Sequence, residues 1–191
     1  MSGRVISFLY NLDLQCFNWV NHTLHNSVFD LIMPLLSNAG TAGLIWVIFS
    51  LILLVTGRPC TKKAALLVLV ALAASYLAGE CFKHTFQRLR PFVTIPDVKL
   101  LVQPPPSFSF PSEHAANAFA AGVVLMRKLP GLAWFFILLA FAMAFSRVYV
   151  GVHYPVDVLF GSLLGTACAV LVLKCEGKIL GAAEKLKPPV G

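Results

Sequence analysis

Three short blocks of the chain carry residue types that do chemistry: Lys83 with Arg90-Pro91, then Pro111-Ser112-Glu113-His114, then Ser146-Arg147 followed by His153 and Asp157. Long apolar stretches lie between and around them. A charge close to hydrocarbon is costly unless it is paired or lines a wet cavity, which makes each of these residues a functional candidate. Together they describe a pocket for an anion of two or more charges, with a nucleophile beside it.

Lys83 and Arg90 stand seven residues apart, a spacing that puts both on one face of a helix, two turns from each other. Arg147 adds a second guanidinium, whose forked donors match phosphate oxygens. Ser112 is a good N-cap, and the free amides and positive dipole end behind it form an anion site. Three cations and a helix start can hold a phosphoryl group and its developing charge without a metal. His153 stands just before the helix that Pro155 opens, with Asp157 in the first turn. That carboxylate can accept the proton of one ring nitrogen and leave the other as a nucleophile. His114, in the first turn of the helix that Ser112 caps, is placed as general acid for a leaving oxygen.

Each residue taken singly has a plainer account. Lys83 could snorkel to the interface, His153 could be structural, Asp157 could be a helix-start charge and Ser112 only a cap. No plain account covers all of them converging on one face.

The elements that position these residues follow from composition. Of 191 residues 58% are hydrophobic and 12% charged, with mean hydropathy +0.81, values of an integral membrane protein. The net charge of +7 comes without a basic stripe carrying interleaved aromatics, so no nucleic-acid partner is expected. The five cysteines have no metal-ligand or redox spacing, and no disulfide framework is expected. The N-terminus, with its single Arg4, lacks the pattern of a removable signal peptide.

Val5 to Leu24 alternates apolar and polar residues at helical spacing and reads as an amphipathic helix in the interface, continued by a short helix over 27–36. Five spanning helices follow: 41–55, 64–82 continuing helical to Leu89, 111–126, 132–150 and 155–173. Pro91 ends the second helix at Arg90. The long connection 91–111 carries an apolar stretch, Val98 and Leu100 to Val102, and is expected to lie over the membrane surface or the pocket mouth. The expected fold is all-α, a polytopic membrane bundle of one domain, 1–191: interfacial helices 1–40, a catalytic bundle 41–175 and a cytoplasmic tail 176–191.

With this span count all three blocks meet on one face. Nine of the fifteen Lys and Arg residues, Arg58, Lys62, Lys63, Arg127, Lys128, Lys174, Lys178, Lys185 and Lys187, fall on the other. The positive-inside rule then turns the basic loops to the cytoplasm and the pocket to the periplasm or cell exterior. His22, His25 and His84 lack partners at metal-ligand spacing and are expected at the wet interface, while Glu80 can pair with Lys83 or His84.

The three blocks, with internal spacings of six, five and three residues, resemble the signature of the type 2 phosphatidic acid phosphatase superfamily, the lipid phosphate phosphatases. The resemblance covers the chain from the second span onward. It implies a phosphohydrolase that needs no metal or other cofactor. His153 would become the phosphohistidine, Asp157 would orient it, and His114 would act as acid and then activate water. Lys83, Arg90, Ser112, Arg147 and the backbone amide of Glu113 would bind phosphate. Glu113 stands where the family usually has glycine, and an acidic residue there looks like the branch acting on undecaprenyl diphosphate. The implied substrate is therefore a membrane lipid phosphate or diphosphate, in a cell (inner or plasma) membrane. Alternatives are a phosphatidylglycerophosphate or lipid A phosphatase, a phosphotransferase, and a silent lipid binder or transporter. Intact His114, His153 and Asp157 speak against silence.

Overall fold

The computed structural model describes residues 2–39 and 43–185. The expected start of the first span at Thr41, and the end of the tail at 186–191 with Lys187, lie outside the described residues. In chain order the helices are α1 (Ser2–Asn18), which runs into a π-helical turn at Trp19–Thr23, α2 (Ser27–Ala39), α3 (Leu44–Thr56), α4 (Pro59–Phe86), the short α5 (Pro91–Thr94), α6 (Glu113–Lys128), α7 (Ala133–Tyr149), α8 (Pro155–Lys174) and α9 (Glu176–Lys185). The fold is all-α, as the sequence implied. Residues 176–185, read as tail, form a helix.

Three described segments, Pro59–Thr94, Pro130–Tyr149 and Pro155–Lys174, are long and apolar enough to cross a membrane, and α2 with α3 add a fourth if the pair is one bent span. The five spans read from sequence also counted α3, with 13 residues, and α6, with 16. At 1.5 Å per residue α6 reaches about 24 Å, short of the ~30 Å hydrocarbon core. It is the central helix, buried continuously from Ala115 to Leu125.

Small residues let α8 lie directly against α6. A Cβ added at Gly165 would stand 1.9 Å from the carbonyl oxygen of Ala116, and one at Gly161 2.4 Å from that of Ser112. Such backbone-to-backbone approach is how helices gain packing where lipid removes the hydrophobic drive. Gly122 brings α7 in on the other side, its added Cβ meeting the Phe136 carbonyl at 3.2 Å. The outer faces of α7 and α8 carry exposed Trp134, Leu138, Phe141, Leu159, Leu163 and Leu171, side chains suited to lipid.

Two sequence readings need correction. Helix α4 does not continue to Leu89: it stops at Phe86, where Gln87 takes left-handed φ 45° and its N–H bonds the Lys83 carbonyl at 3.0 Å. Arg90, held extended by the following proline, lies outside the helix. Lys83 and Arg90 therefore do not share a helix face; the chain bends between them. His25 is paired with Asp30 at 2.8 Å and stacked on Tyr149 with ring centroids 4.5 Å apart. An amphipathic segment confers that kind of pairing only once a partner helix arrives.

Helix α1 places some polar residues inward. Its apolar Phe8, Leu9 and Leu12 are exposed, with Trp19 just beyond, while Asp13 and Asn21 from the polar side are buried against the bundle. Asn21 donates to the carbonyls of Lys99 and Tyr149, each at 3.0 Å, and accepts from the Lys99 N–H at 3.0 Å. It ties the 91–111 connection to the end of α7, at the turn where Gly151 has φ 84°. The connection's Val98, Leu100, Leu101 and Val102 pack on a second apolar cluster around Phe17, Val20, Met33, Tyr149 and Tyr154.

Candidate active site

Four pieces of chain converge at the N-terminal ends of α6 and α8: the end of α4, the segment 88–90, the segment 107–112 and the α7–α8 turn. Ser112 caps α6, its Oγ accepting from the Ala115 N–H at 3.5 Å, and its own N–H donates to the Asp157 carbonyl at 3.0 Å. The two helix starts are thereby bonded to each other. Both carry the positive dipole end toward the same space.

Arg90 organises this space. Its Nε donates to the Ser107 carbonyl at 2.7 Å, Nη1 to the Val152 carbonyl at 2.9 Å and to His153 Nε2 at 3.1 Å, and Nη2 to Ser107 Oγ at 3.1 Å and the Phe108 carbonyl at 3.2 Å. A guanidinium has five N–H groups and no acceptor, so all five are engaged. The contact to His153 also fixes the ring's state: facing a donor, Nε2 presents a lone pair, and the proton of the neutral imidazole sits on Nδ1. Nδ1 faces Ser109 Oγ at 3.5 Å and Asp157 Oδ2 at 3.7 Å. Burial, with Arg90, Arg147 and Lys83 adding, holds the imidazole well below its ordinary 6.5. The ring is a neutral base with its lone pair directed at a cation.

Asp157 is fully buried and richly bonded. Oδ2 accepts from Ser109 Oγ at 2.5 Å and the Tyr154 N–H at 3.0 Å, and Oδ1 accepts from Arg88 Nη1 at 2.6 Å. The direct His153–Asp157 hydrogen bond expected from the sequence is thus a longer contact of 3.7 Å, because Ser109 and Tyr154 N–H occupy the near oxygen. Lys83 meets Glu113 Oε2 at 2.7 Å, Ser107 Oγ at 3.4 Å and Glu80 Oε1 at 3.6 Å. Glu113 therefore points at a cation and leaves the helix-start amides open. Glu80 also reaches His84, at 3.7 Å. Arg147, 4% exposed, donates through Nη1 to Ser37 Oγ of α2. Its Nε and His114 Nε2 are buried polar atoms without a partner among the described residues. His114 lies within electrostatic reach of Arg147, His153, Arg90 and Lys83.

All eight sequence-read candidates, Lys83, Arg90, Ser112, Glu113, His114, Arg147, His153 and Asp157, meet in this one region. Sequence reasoning missed Arg88, Ser107, Ser109, Asp13 and Ser37. Arg88 left a trace, since it doubles a cation two positions from Arg90. The serines and Asp13 left none.

A membrane helix bundle with two helix starts, four cations and a buried His–Asp pair at one end has the make-up that phosphoryl transfer needs. Residues 64–180 match the PAP2 superfamily model. An undecaprenyl-diphosphatase of Sulfolobus acidocaldarius is 33% identical over 146 residues, covering 75% of this chain and 70% of that protein. A lipid A 4'-phosphatase of Bacteroides thetaiotaomicron is 31% identical over 176 residues, covering 84% and 75%. The crystal structure of Aquifex aeolicus LpxE superposes with a TM-score of 0.76 at 28% identity, covering 85% of this chain and 95% of that one. The chain belongs to the PAP2 superfamily and, with it, to the lipid phosphate hydrolases.

Proposed function

We propose that the protein removes the terminal phosphate of a lipid diphosphate of the undecaprenyl type through a phosphohistidine on His153. The observation that carries this is the lone pair of His153 Nε2, 3.1 Å from Arg90, with a buried Asp157 on the opposite ring edge. In the first step the Nε2–P bond forms and the bond from phosphorus to the bridging oxygen breaks. That oxygen takes the proton of His114, and the lipid monophosphate leaves. Asp157 stabilises the positive charge the ring acquires. In the second step water attacks phosphorus, gives its proton to His114, and the N–P bond breaks to release phosphate. Lys83, Arg90, Arg147, Ser112 and the Glu113 amide hold the phosphoryl oxygens, the preorganised electrostatic stabilisation that dominates such reactions. The unpartnered Arg147 Nε is suited to this.

Residues 1–191 act as one membrane unit in this reading, with the site on the outer face of the cell membrane and the basic end at the cytoplasm. Lipid A is the second substrate reading, favoured by the 31% identical phosphatase. The test is phosphate release by the purified protein from undecaprenyl diphosphate, lipid A and phosphatidylglycerophosphate, in the presence of chelator, with His153→Ala beside it. Chelator-resistant release that prefers the diphosphate and vanishes in the variant is expected. Release surviving in His153→Ala sinks the mechanism, and preference for lipid A transfers the substrate assignment.

A further inference from the structure

The geometry points to Asp13, on the N-terminal helix α1, as a positioning residue of the reaction: through Arg88 it holds Asp157, and so the ring of His153, in register. This rests on the reading of His153 as nucleophile.

Asp13 is 4% exposed on a helix whose other face looks to lipid. A carboxylate buried there is costly unless it is paired. Its two oxygens have separate tasks. Oδ2 accepts from Arg88 Nη2 at 2.6 Å, and Oδ1 accepts from the N–H of Val156 at 2.9 Å. Val156 lies in the first turn of α8, where backbone N–H groups have no helical partner. Arg88 spans the gap: Nη1 reaches Asp157 Oδ1 at 2.6 Å, and the guanidinium lies 3.9 Å from the centre of the Tyr154 ring. One cation is thus clamped between two carboxylates and an aromatic face. Since Asp157 belongs to the same first turn as Val156, Asp13 grips that turn twice, once through its backbone and once through its functional side chain.

The arrangement has consequences for His153. Asp157 contacts the ring only at 3.7 Å, so a small rotation of its carboxylate loosens the ring and, with it, the Arg90–Nε2 contact that keeps the proton on Nδ1. Arg88 forbids that rotation as long as Asp13 anchors its other arm. With Asp13 neutral, Arg88 keeps one carboxylate and gains freedom toward solvent, where its side chain is already 23% exposed. Asp13 touches neither the phosphate binders nor His114 among the described contacts, so its effect falls on the chemical step rather than on phosphate affinity.

Asp13→Asn retains an acceptor for the Val156 N–H and removes the charge; Asp13→Glu retains the charge; Gln15→Ala alters an exposed position of the same helix. The expectation is a kcat lower by about tenfold in Asp13→Asn, KM and inhibition by inorganic phosphate within about twofold of the parent, and recovery in Asp13→Glu with Gln15→Ala unchanged. In ¹⁵N-histidine spectra, with His153 assigned by its loss in His153→Ala, Asp13→Asn shifts the ring from Nδ1–H toward a mixture of tautomers. The proposal is overturned if kcat per folded molecule and the ring signals are unaltered. It is equally overturned if kcat and KM change together and Asp13→Glu does no better than Asp13→Ala, the behaviour of a residue that only holds the fold. Absence of phosphate release by the parent protein defeats the phosphatase reading instead, and the ring signals of Asp13→Asn then decide on the clamp alone.

Discussion

Between α6 and α8, backbones approach so closely that a Cβ at Gly165 would sit 1.9 Å from the Ala116 carbonyl, whereas α1 and α2 pack through apolar side chains and send single polar side chains toward the same site. From α1 come Asp13 and, beyond its end, Asn21; from α2 comes Ser37, bonded to Arg147. The core sets where the reacting groups stand by steric contact, which tolerates no added volume. The N-terminal pair adjusts how they point through hydrogen bonds, which tolerate substitution at modest cost. Position and orientation are thus assigned to different parts of the chain.

If that division is right, changes in the core's chemistry outweigh all others. His114→Ala lowers turnover of lipid substrates by about 10²–10⁴-fold, and by far less for p-nitrophenyl phosphate, whose leaving oxygen needs no acid. An equal loss on both substrates would strip His114 of its part as acid and leave only its part in activating water. Adding volume comes next: Gly165→Val forces α6 and α8 apart and costs near the top of the usual ~1–3 kcal/mol for overpacking, read as a lower thermal midpoint in detergent, while Gln15→Val on α1 leaves it unchanged.

A smaller effect follows from His153. Its folded imidazole sits well below the ordinary 6.5, so the unfolded chain binds a proton that the folded one refuses. The stability this group contributes is whole above about pH 6.5 and falls by up to ~1.4 kcal/mol per unit as pH drops below it. Unfolding of the parent and His153→Gln between pH 8 and 5 checks this: the parent loses stability faster on the acid side. The smallest effect belongs to Ser37 of α2. Ser37→Ala removes one charge-assisted bond from Arg147, about 1 kcal/mol, and raises KM about fivefold with kcat held. A fall in kcat with KM held would instead place Ser37, like Asp13, on the chemical step.

The core was legible because its functional residues come in runs of fixed local spacing, and because a proline, Pro91, Pro111 or Pro155, marks each boundary. The all-α bundle followed from hydropathy in the same way. Local spacing misled at Arg90, where seven residues imply two helical turns only if the helix continues; Gln87 in the left-handed region ends it. The contributions of Asp13, Ser37 and Ser109 were not legible. Each is one polar residue among many, distinguished only by contacts 75 to 143 positions away along the chain, or, for Ser109, by a loop fold that no periodicity describes. Asp13 in particular carried the signature of a wet helix face, and only tertiary packing reversed it.

The saturation of Arg90 bears on which ions the protein notices. An anion arriving at a set of bare donors needs only charge, and chloride would serve. Here every N–H already has an acceptor, so a newcomer gains nothing unless it offers several oxygens at once, placed to replace His153 Nε2 and Ser107 Oγ together. Arg90 is in this sense deaf to the salt outside it, and responds only to a visitor with several oxygens to offer.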